Sequence, residues 1–371
     1  MARPTVAEIR LSALRHNVQV IRALLPQGVG LLCIVKANAY GHGALPVARA
    51  LEAGGARMLG VATVEEGVEL REGEIRIPVI VLGGVDPSQA EEAHAHALSA
   101  ILFDRGQIAY LVRAAEVAGR PFPVHVKVDT GMGRLGLLPR EAMEAAGQIA
   151  STPALRLEGW MTHLSSADGS AVEDREYTAG QLATFRATLP AVRKAFGTSV
   201  AVHALNSAGI LRFGEEPFDL VRPGISLYGC SPLPSGDASP DLRPVMRIVT
   251  KVESLKELPA GHAVSYSRRY RCDGARRIAV VPIGYADGYR RALTGRARMS
   301  VAGHPVPVVG TVCMDHTMID VTGVPGVAIG TDVEVMGDAS MGAEEMARVC
   351  GTIPYEILVQ VGSRIPRATI G

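Results

Sequence analysis

The chain has 371 residues, 47% of them hydrophobic and 20% charged, enough apolar material for a sizeable core or two domains. Its 38 basic and 37 acidic side chains leave a formal net charge of +1, which argues against a nucleic-acid binder or a polybasic membrane protein. Five scattered cysteines with no CxxC pair, and no long apolar run, lead us to expect no disulfide framework, no metal, no membrane span and a cytoplasmic location.

Residues 5–11 alternate, with Ala7, Ile9 and Leu11 on one side and Val6, Glu8 and Arg10 on the other. That is the pattern of a half-exposed strand in an antiparallel sheet. Ser12 is placed to cap a helix whose apolar face is Leu14, Val18, Ile21 and Leu25, with Pro26 as its stop. Eight short apolar strand candidates follow, at 31–36, 58–62, 77–82, 98–103, 122–129, 155–163, 199–206 and 219–221. Helical stretches at 45–53, 64–72, 107–118 and 141–149 separate several of them. Continuous apolar strands alternating with helices indicate a parallel sheet covered on both faces, and eight units suit a β/α barrel. A doubly wound open sheet is the alternative, though no turn reads GxGxxG.

The segment 231–240 is rich in turn formers and reads as a linker. Beyond it, alternating segments at 246–254, 277–283, 306–313, 316–321 and 332–336 predict an all-β region, with one helix near 343–350. The expected fold is therefore α/β: an eight-stranded parallel β/α barrel over 12–235, then a mostly antiparallel β domain over 236–371 that recruits the N-terminal strand 1–11.

In such a barrel the working residues gather at the C-terminal ends of the strands. Lys36 ends the first strand candidate. Lys127 and Arg134 lie at and after the fifth, His163 ends the sixth, Asn206 and Ser207 the seventh, and Arg222 the eighth. The loops Asn206-Ser-Ala-Gly209 and Arg222-Pro-Gly-Ile225 follow the last two strands, the usual phosphate site of barrels, where glycine admits close backbone approach. Each residue alone has an ordinary reading as a flank, an ion pair or a turn. Their convergence indicates a barrel enzyme with a phosphorylated ligand, and spacing alone goes no further.

The run Lys36-Ala-Asn-Ala-Tyr40-Gly-His-Gly43 resembles the cofactor-lysine signature of the alanine racemase family. The resemblance continues through Val128-Asp-Thr-Gly-Met-Gly-Arg134-Leu-Gly136, Met161-Thr-His163, Asn206-Ser207 and Arg222-Pro-Gly-Ile-Ser-Leu-Tyr228-Gly229. It extends to Val264-Ser-Tyr266, Ile283-Gly-Tyr285-Ala-Asp287-Gly-Tyr289, Val312-Cys-Met314-Asp315 and Pro354-Tyr355-Glu356. The ordered matches span nearly the whole chain.

The resemblance implies interconversion of L-alanine and D-alanine on pyridoxal 5'-phosphate, supplying D-alanine for peptidoglycan, in a homodimer with shared active sites. Lys36 is implied as the cofactor lysine and one base, and Tyr266 of the partner subunit as the other. Tyr40, Ser207, Gly224, Ile225 and Tyr355 are implied to hold the phosphate, with Asn206 beside them. Arg222 is implied at the ring nitrogen with His163 behind it, Arg134 and the Met314 backbone at the substrate carboxylate, and Tyr285 and Asp315 in support at the entrance. Lys127 is implied to be carbamylated in the manner of many relatives, since an uncompensated ammonium beside Arg134 is costly. Arg222 can only donate a hydrogen bond, which favours racemisation over a decarboxylase of the same fold with an acid there. His316, Ser267 and Leu164 depart from the family pattern, where glutamine, glycine and phenylalanine are expected. They keep a serine or broad-range racemase as an alternative, and a non-enzymatic cofactor carrier would need no second domain.

Overall fold

Strands that are apolar on both faces must be covered on both, and the computed structural model, which describes residues 3–215, 217–234 and 236–371, shows how. Strand β1 (Val6–Arg10) stands apart from the eight that follow. These are β2 (Gly30–Ile34), β3 (Met58–Val61), β4 (Val79–Val81), β5 (Leu98–Leu102), β6 (Phe122–Lys127), β7 (Leu155–Met161), β8 (Ala201–Asn206) and β9 (Leu220–Arg222). Among the described residues they pair in parallel and in order, and β2 closes on β9 through Gly30↔Leu220 and Leu31↔Val221. The barrel and the antiparallel sheet beyond it are those expected. The sequence pattern carries the first, fifth and sixth barrel strands on to 36, 129 and 163, whereas the ladders stop at Ile34, Lys127 and Met161. Lys36, Asp129 and His163 thus sit in the loops just beyond, at the mouth.

Helix Leu11–Ala23 buries Leu14, Val18 and Ile21 and ends before Pro26. Ser12 does not cap it. The helix begins at Leu11 directly after β1, so Ser12 lies inside its first turn, and the cap position falls to Arg10, whose guanidinium has no acceptor and donates to Asp338 (2.5 Å) and the Pro244 carbonyl (2.6 Å). The 25-residue helix Val172–Phe196 carries charge along its length, and among the described residues no helix is long and apolar enough to cross a membrane.

The remaining strands are β10 (Met246–Lys251), β11 (Ser254–Leu258), the ribbon β12 (Ala263–Val264) with β13 (Tyr270–Arg271), β14 (Arg276–Val281), β15 (Arg298–Val301), β16 (His304–Val309), β17 (Thr317–Asp320), β18 (Asp332–Met336) and β19 (Arg367–Ile370). One sheet runs β11-β14-β17-β16-β15-β18-β10-β1-β19. Strand β1 joins it as its alternation suggests: Ala7 and Ile9 are fully buried, while Glu8 faces Arg247 across the register at 3.1 Å. The single strand expected at 246–254 is two. At Val252 and Glu253 the backbone exchanges a bond to Thr331 for one to Val280, so the chain leaves β18 and pairs with β14. Strand β19, parallel to β1, has no counterpart in the sequence reading. Ser235, within the expected linker, lies outside the described residues.

Candidate active site

A cavity of about 510 Å³ opens at the barrel mouth. Lys36, Tyr40, Lys127, Arg134, His163, Asn206, Ser207, Arg222, Gly224, Ile225 and Tyr355 all line it, as the sequence reading expects. Four of those carry basic side chains, and among the described residues no aspartate or glutamate lines the cavity. A space so composed calls for anionic ligands.

Lys36 opens a turn with unusual backbone. Ala37, Asn38, Ala39 and Tyr40 have φ of 53°, 54°, 52° and 52°, four left-handed residues in succession without a glycine. Each costs roughly 1–2 kcal/mol relative to a right-handed conformation, so the surroundings must hold the turn. The Ala39 amide donates to Val35 O (2.8 Å) and the Gly41 amide to Ala37 O (2.9 Å). The Asn38 side chain accepts from the Ala44 amide at 2.7 Å, and the Ala37 amide donates to Glu66 Oε1 at 2.6 Å. The Lys36 side chain is exposed along the open mouth, yet surrounding protein desolvates its amine and, with Arg134, lowers its pKa. At the end of the turn the Tyr40 ring stacks on Tyr228, centroids 4.8 Å apart, and approaches Tyr355 at 5.9 Å.

Ser207, Gly224 and Ile225 form the wall beside that turn, since β9 pairs with β2. Ser207 Oγ accepts from the Gly224 amide at 2.8 Å and from the Ser226 hydroxyl at 3.0 Å, tying the loops after β8 and β9 together. A Cβ on Gly224 would stand 2.8 Å from the Tyr40 hydroxyl, so glycine keeps that cradle open. Asn206 caps the next segment by accepting from the Gly209 amide at 2.9 Å.

Arg222 is buried and surrounded by acceptors. Its Nη2 donates to the carbonyls of Thr162 and Ala204, both at 2.7 Å, and lies 3.2 Å from His163 Nδ1; its Nη1 lies 3.0 Å from His203 Nδ1. Guanidinium has no acceptor, so both Nδ1 atoms must carry lone pairs. His203 Nε2 meets His125 Nδ1 at 3.0 Å and, by the same logic, donates to it. Burial lowers the pKa of all three histidines, with Arg222 as a further cause, and pushes Arg222 itself down to about 9. Arg222 therefore remains the cation at neutral pH. Gly159 leaves the space that the His125 ring fills: a Cβ there would lie 1.9 Å from His125 Nδ1.

Lys127 is also buried, and burial followed by Arg134 and Arg222 pushes its pKa down to about 8. Asp129 does not pair with it. That carboxylate accepts the amides of Gly131, Met132 and Gly133 instead.

Tyr266, Tyr285 and Met314 do not line this cavity. They are 68%, 42% and 52% exposed. The β domain nevertheless gathers them: Thr311 Oγ1 donates to Tyr266 O (2.9 Å), Ser265 Oγ to Thr311 O (2.6 Å), and the Ala286 amide to Met314 O (3.0 Å). Ser265, Ser267 and Arg268 have φ of 65°, 61° and 49°, so strained backbone flanks Tyr266 on both sides. Ser267 occupies a conformation that glycine adopts without strain. His316 pairs with Glu253 at 2.9 Å, Leu164 is buried, and Asp315 accepts from Arg364 at 2.8 Å.

Glu66, Thr162 and His203 take part in this machinery and were not singled out by the sequence reading. His125 precedes Lys127 by two, and the two-residue strand period puts both on one face; that alternation was the available signal. Glu66 left none, because a first-turn glutamate is ordinary helix chemistry.

The family model described as alanine racemase, N-terminal domain, matches residues 9–232, and that for the C-terminal domain matches 245–369. The chain is 44% identical to an alanine racemase of Geobacter sulfurreducens, covering 99% of this chain and 97% of that protein. It is 41% identical to one of Desulfovibrio desulfuricans, covering 99% and 98%. Among solved structures, the alanine racemase of Clostridium difficile 630 superposes with a TM-score of 0.93 at 33% identity, covering 100% of this chain and 96% of that one.

Proposed function

The chain belongs to the alanine racemase family and interconverts the enantiomers of alanine, and on that premise we propose that it does so on pyridoxal 5'-phosphate, with Lys36 and the partner subunit's Tyr266 as the two bases. The observation that carries this reading is the 510 Å³ cavity with four basic side chains and, among the described residues, no aspartate or glutamate. It suits a ligand bearing a phosphate and a substrate bearing a carboxylate. Pyridoxal phosphate supplies an aldehyde that condenses with an amine and a ring that accepts the electron pair left when the Cα proton departs.

The chain's own residues do the rest. Lys36 Nζ would hold the cofactor at rest and would move a proton at Cα from one face. Its lowered pKa favours the neutral amine that such a base must be. The Tyr266 hydroxyl moves the proton on the other face. Tyr40, Ser207, Tyr355 and the backbone at Gly224 and Ile225 would hold the phosphate, with Asn206 beside them, in the cradle that a Gly224 Cβ would fill. Arg222, locked by two carbonyls and two imidazoles, presents donors only. A ring nitrogen facing it would meet only a donor and stay unprotonated, which would favour return of the proton to Cα. His163 positions Arg222. Arg134 and the Met314 backbone bind the substrate carboxylate, while Tyr285 and Asp315 support the entrance.

The exposure of Tyr266, Tyr285 and Met314, outside their own cavity, supports a homodimer in which each β domain completes its partner's site. The barrel over 12–235 and the β domain over 1–11 and 236–371 are its two parts, and the enzyme works in the cytoplasm supplying D-alanine for the cell wall. Borohydride reduction of the purified protein should fix one cofactor per chain on Lys36, and Lys36→Ala should slow racemisation by about a hundredfold to ten-thousandfold. A label mapping to another lysine contradicts the assignment.

A further inference from the structure

The left-handed turn after Lys36 is held at its first amide by a side chain from a different barrel unit. Glu66 lies in the first turn of helix Val64–Glu72, where Thr63 accepts its amide at 3.4 Å. A glutamate at this place often folds back onto the amide of its own cap residue. Here it reaches outward: Oε1 accepts from the Ala37 amide at 2.6 Å and Oε2 from the Ala62 amide at 2.7 Å. Ala37 and Ala62 both line the cavity beside Lys36. One carboxylate thus bridges the ends of β2 and β3 and pins the amide immediately after the cofactor lysine.

We propose that Glu66 is a positioning residue for the racemase reaction: its carboxylate clamps the strained turn at Ala37 and so sets where the Lys36 amine stands and how it holds its proton. This rests on reading Lys36 as the cofactor lysine. The physical case has two parts. Four left-handed residues without glycine store strain that only surrounding bonds can hold, and the Ala37–Glu66 bond is charge-assisted, the stronger kind. The charged groups felt by the Lys36 amine are Arg134, which disfavours its ammonium, and Glu66, which favours it; Lys127 and His163 each feel Lys36 in turn. Glu66 is the carboxylate on that list.

The test compares the wild-type holoenzyme with Glu66→Gln, Glu66→Asp and the control Glu65→Gln, whose side chain meets Gln89 and Thr63 on the surface. Glutamine keeps one acceptor but turns an N–H toward the other amide, and it removes the charge. Glu66→Gln should lower kcat by about tenfold to a hundredfold, the scale of a misplaced reacting group, with KM changed much less. In apoenzyme, the pH midpoint for labelling Lys36 with an amine-selective reagent should fall, because the carboxylate that favours the ammonium is gone. Hydrogen exchange at 36–42 should quicken. Glu66→Asp keeps the charge but shortens the reach, so kcat should fall while the midpoint stays. Glu65→Gln should match wild type throughout. Wild-type kcat, midpoint and exchange in Glu66→Gln overturn the proposal while Lys36 remains the cofactor lysine. If Glu66→Gln yields no folded dimer, wild-type kcat in Glu66→Asp overturns it equally. Borohydride label on another lysine defeats the parent reading instead.

Discussion

Lys127 offers the clearest quantitative prediction. Burial, Arg134 and Arg222 push its pKa down to about 8, against an ordinary lysine value of about 10.4. At pH 7.5 that makes about a quarter of the side chains neutral amine, where an ordinary lysine would have about one in a thousand. Only the neutral amine attacks carbon dioxide, forming a carbamate and releasing a proton, so the reactive population is enriched roughly two-hundredfold. The product is an anion beside Arg134 and Arg222, which replaces repulsion with attraction. Carbon-13 NMR of enzyme equilibrated with labelled bicarbonate should show one carbamate signal, lost in Lys127→Met, and stripping carbon dioxide should depress activity reversibly. Stability supplies a second reading. Without carbon dioxide the unfolded chain binds this proton more tightly than the native one. Stability is therefore reduced below pH 8 and recovers as pH rises from about 8 to about 10.4, by about 3 kcal/mol. Lys127→Met should flatten that rise. No carbamate signal, with activity indifferent to carbon dioxide, refutes the reasoning.

Arg222→Glu places an acceptor where a donor stood and should protonate the ring nitrogen; racemisation slows while a long-wavelength absorbance band and side transamination appear. A variant that binds cofactor normally and shows neither contradicts the electron-sink argument. Gly224→Ala should weaken retention of pyridoxal phosphate about tenfold, about 1.4 kcal/mol, because its Cβ meets a Tyr40 hydroxyl whose ring is held against Tyr228. Equilibrium dialysis showing wild-type affinity would remove Gly224 from the cradle.

The barrel was legible because most of its strands bury both faces, so apolar runs such as Leu98–Leu102 stand out against helices such as Gln107–Ala118. The cavity wall was legible through motifs at strand ends. What escaped has physical reasons. In the left-handed turn at 37–40 only Asn38 is of a type that favours positive φ, and two alanines and a tyrosine around it give no such signal. Glu66 acts through backbone amides from two units, a long-range pairing invisible to local spacing. Strand β19 is exposed along Ala368–Ile370 and lacks the apolar alternation that marked β1. Ser12 failed as a cap because β1 runs straight into the helix at Leu11, which puts Ser12 inside the first turn.

The shared site is the central claim, and mixed dimers test it most directly. Tyr266 is 68% exposed and absent from its own chain's cavity, so each site should take Lys36 from one subunit and Tyr266 from the other. Lys36→Ala and Tyr266→Phe homodimers should both be nearly inactive. In a mixed dimer one site collects both substitutions and the other collects neither. Unfolding and refolding an equal mixture should therefore restore roughly a quarter of wild-type activity, since about half the dimers are mixed and each has one intact site. If Tyr266 served its own chain, every site would keep one defect. A refolded mixture no more active than its parents, with subunit exchange confirmed by mass spectrometry, would contradict the shared site.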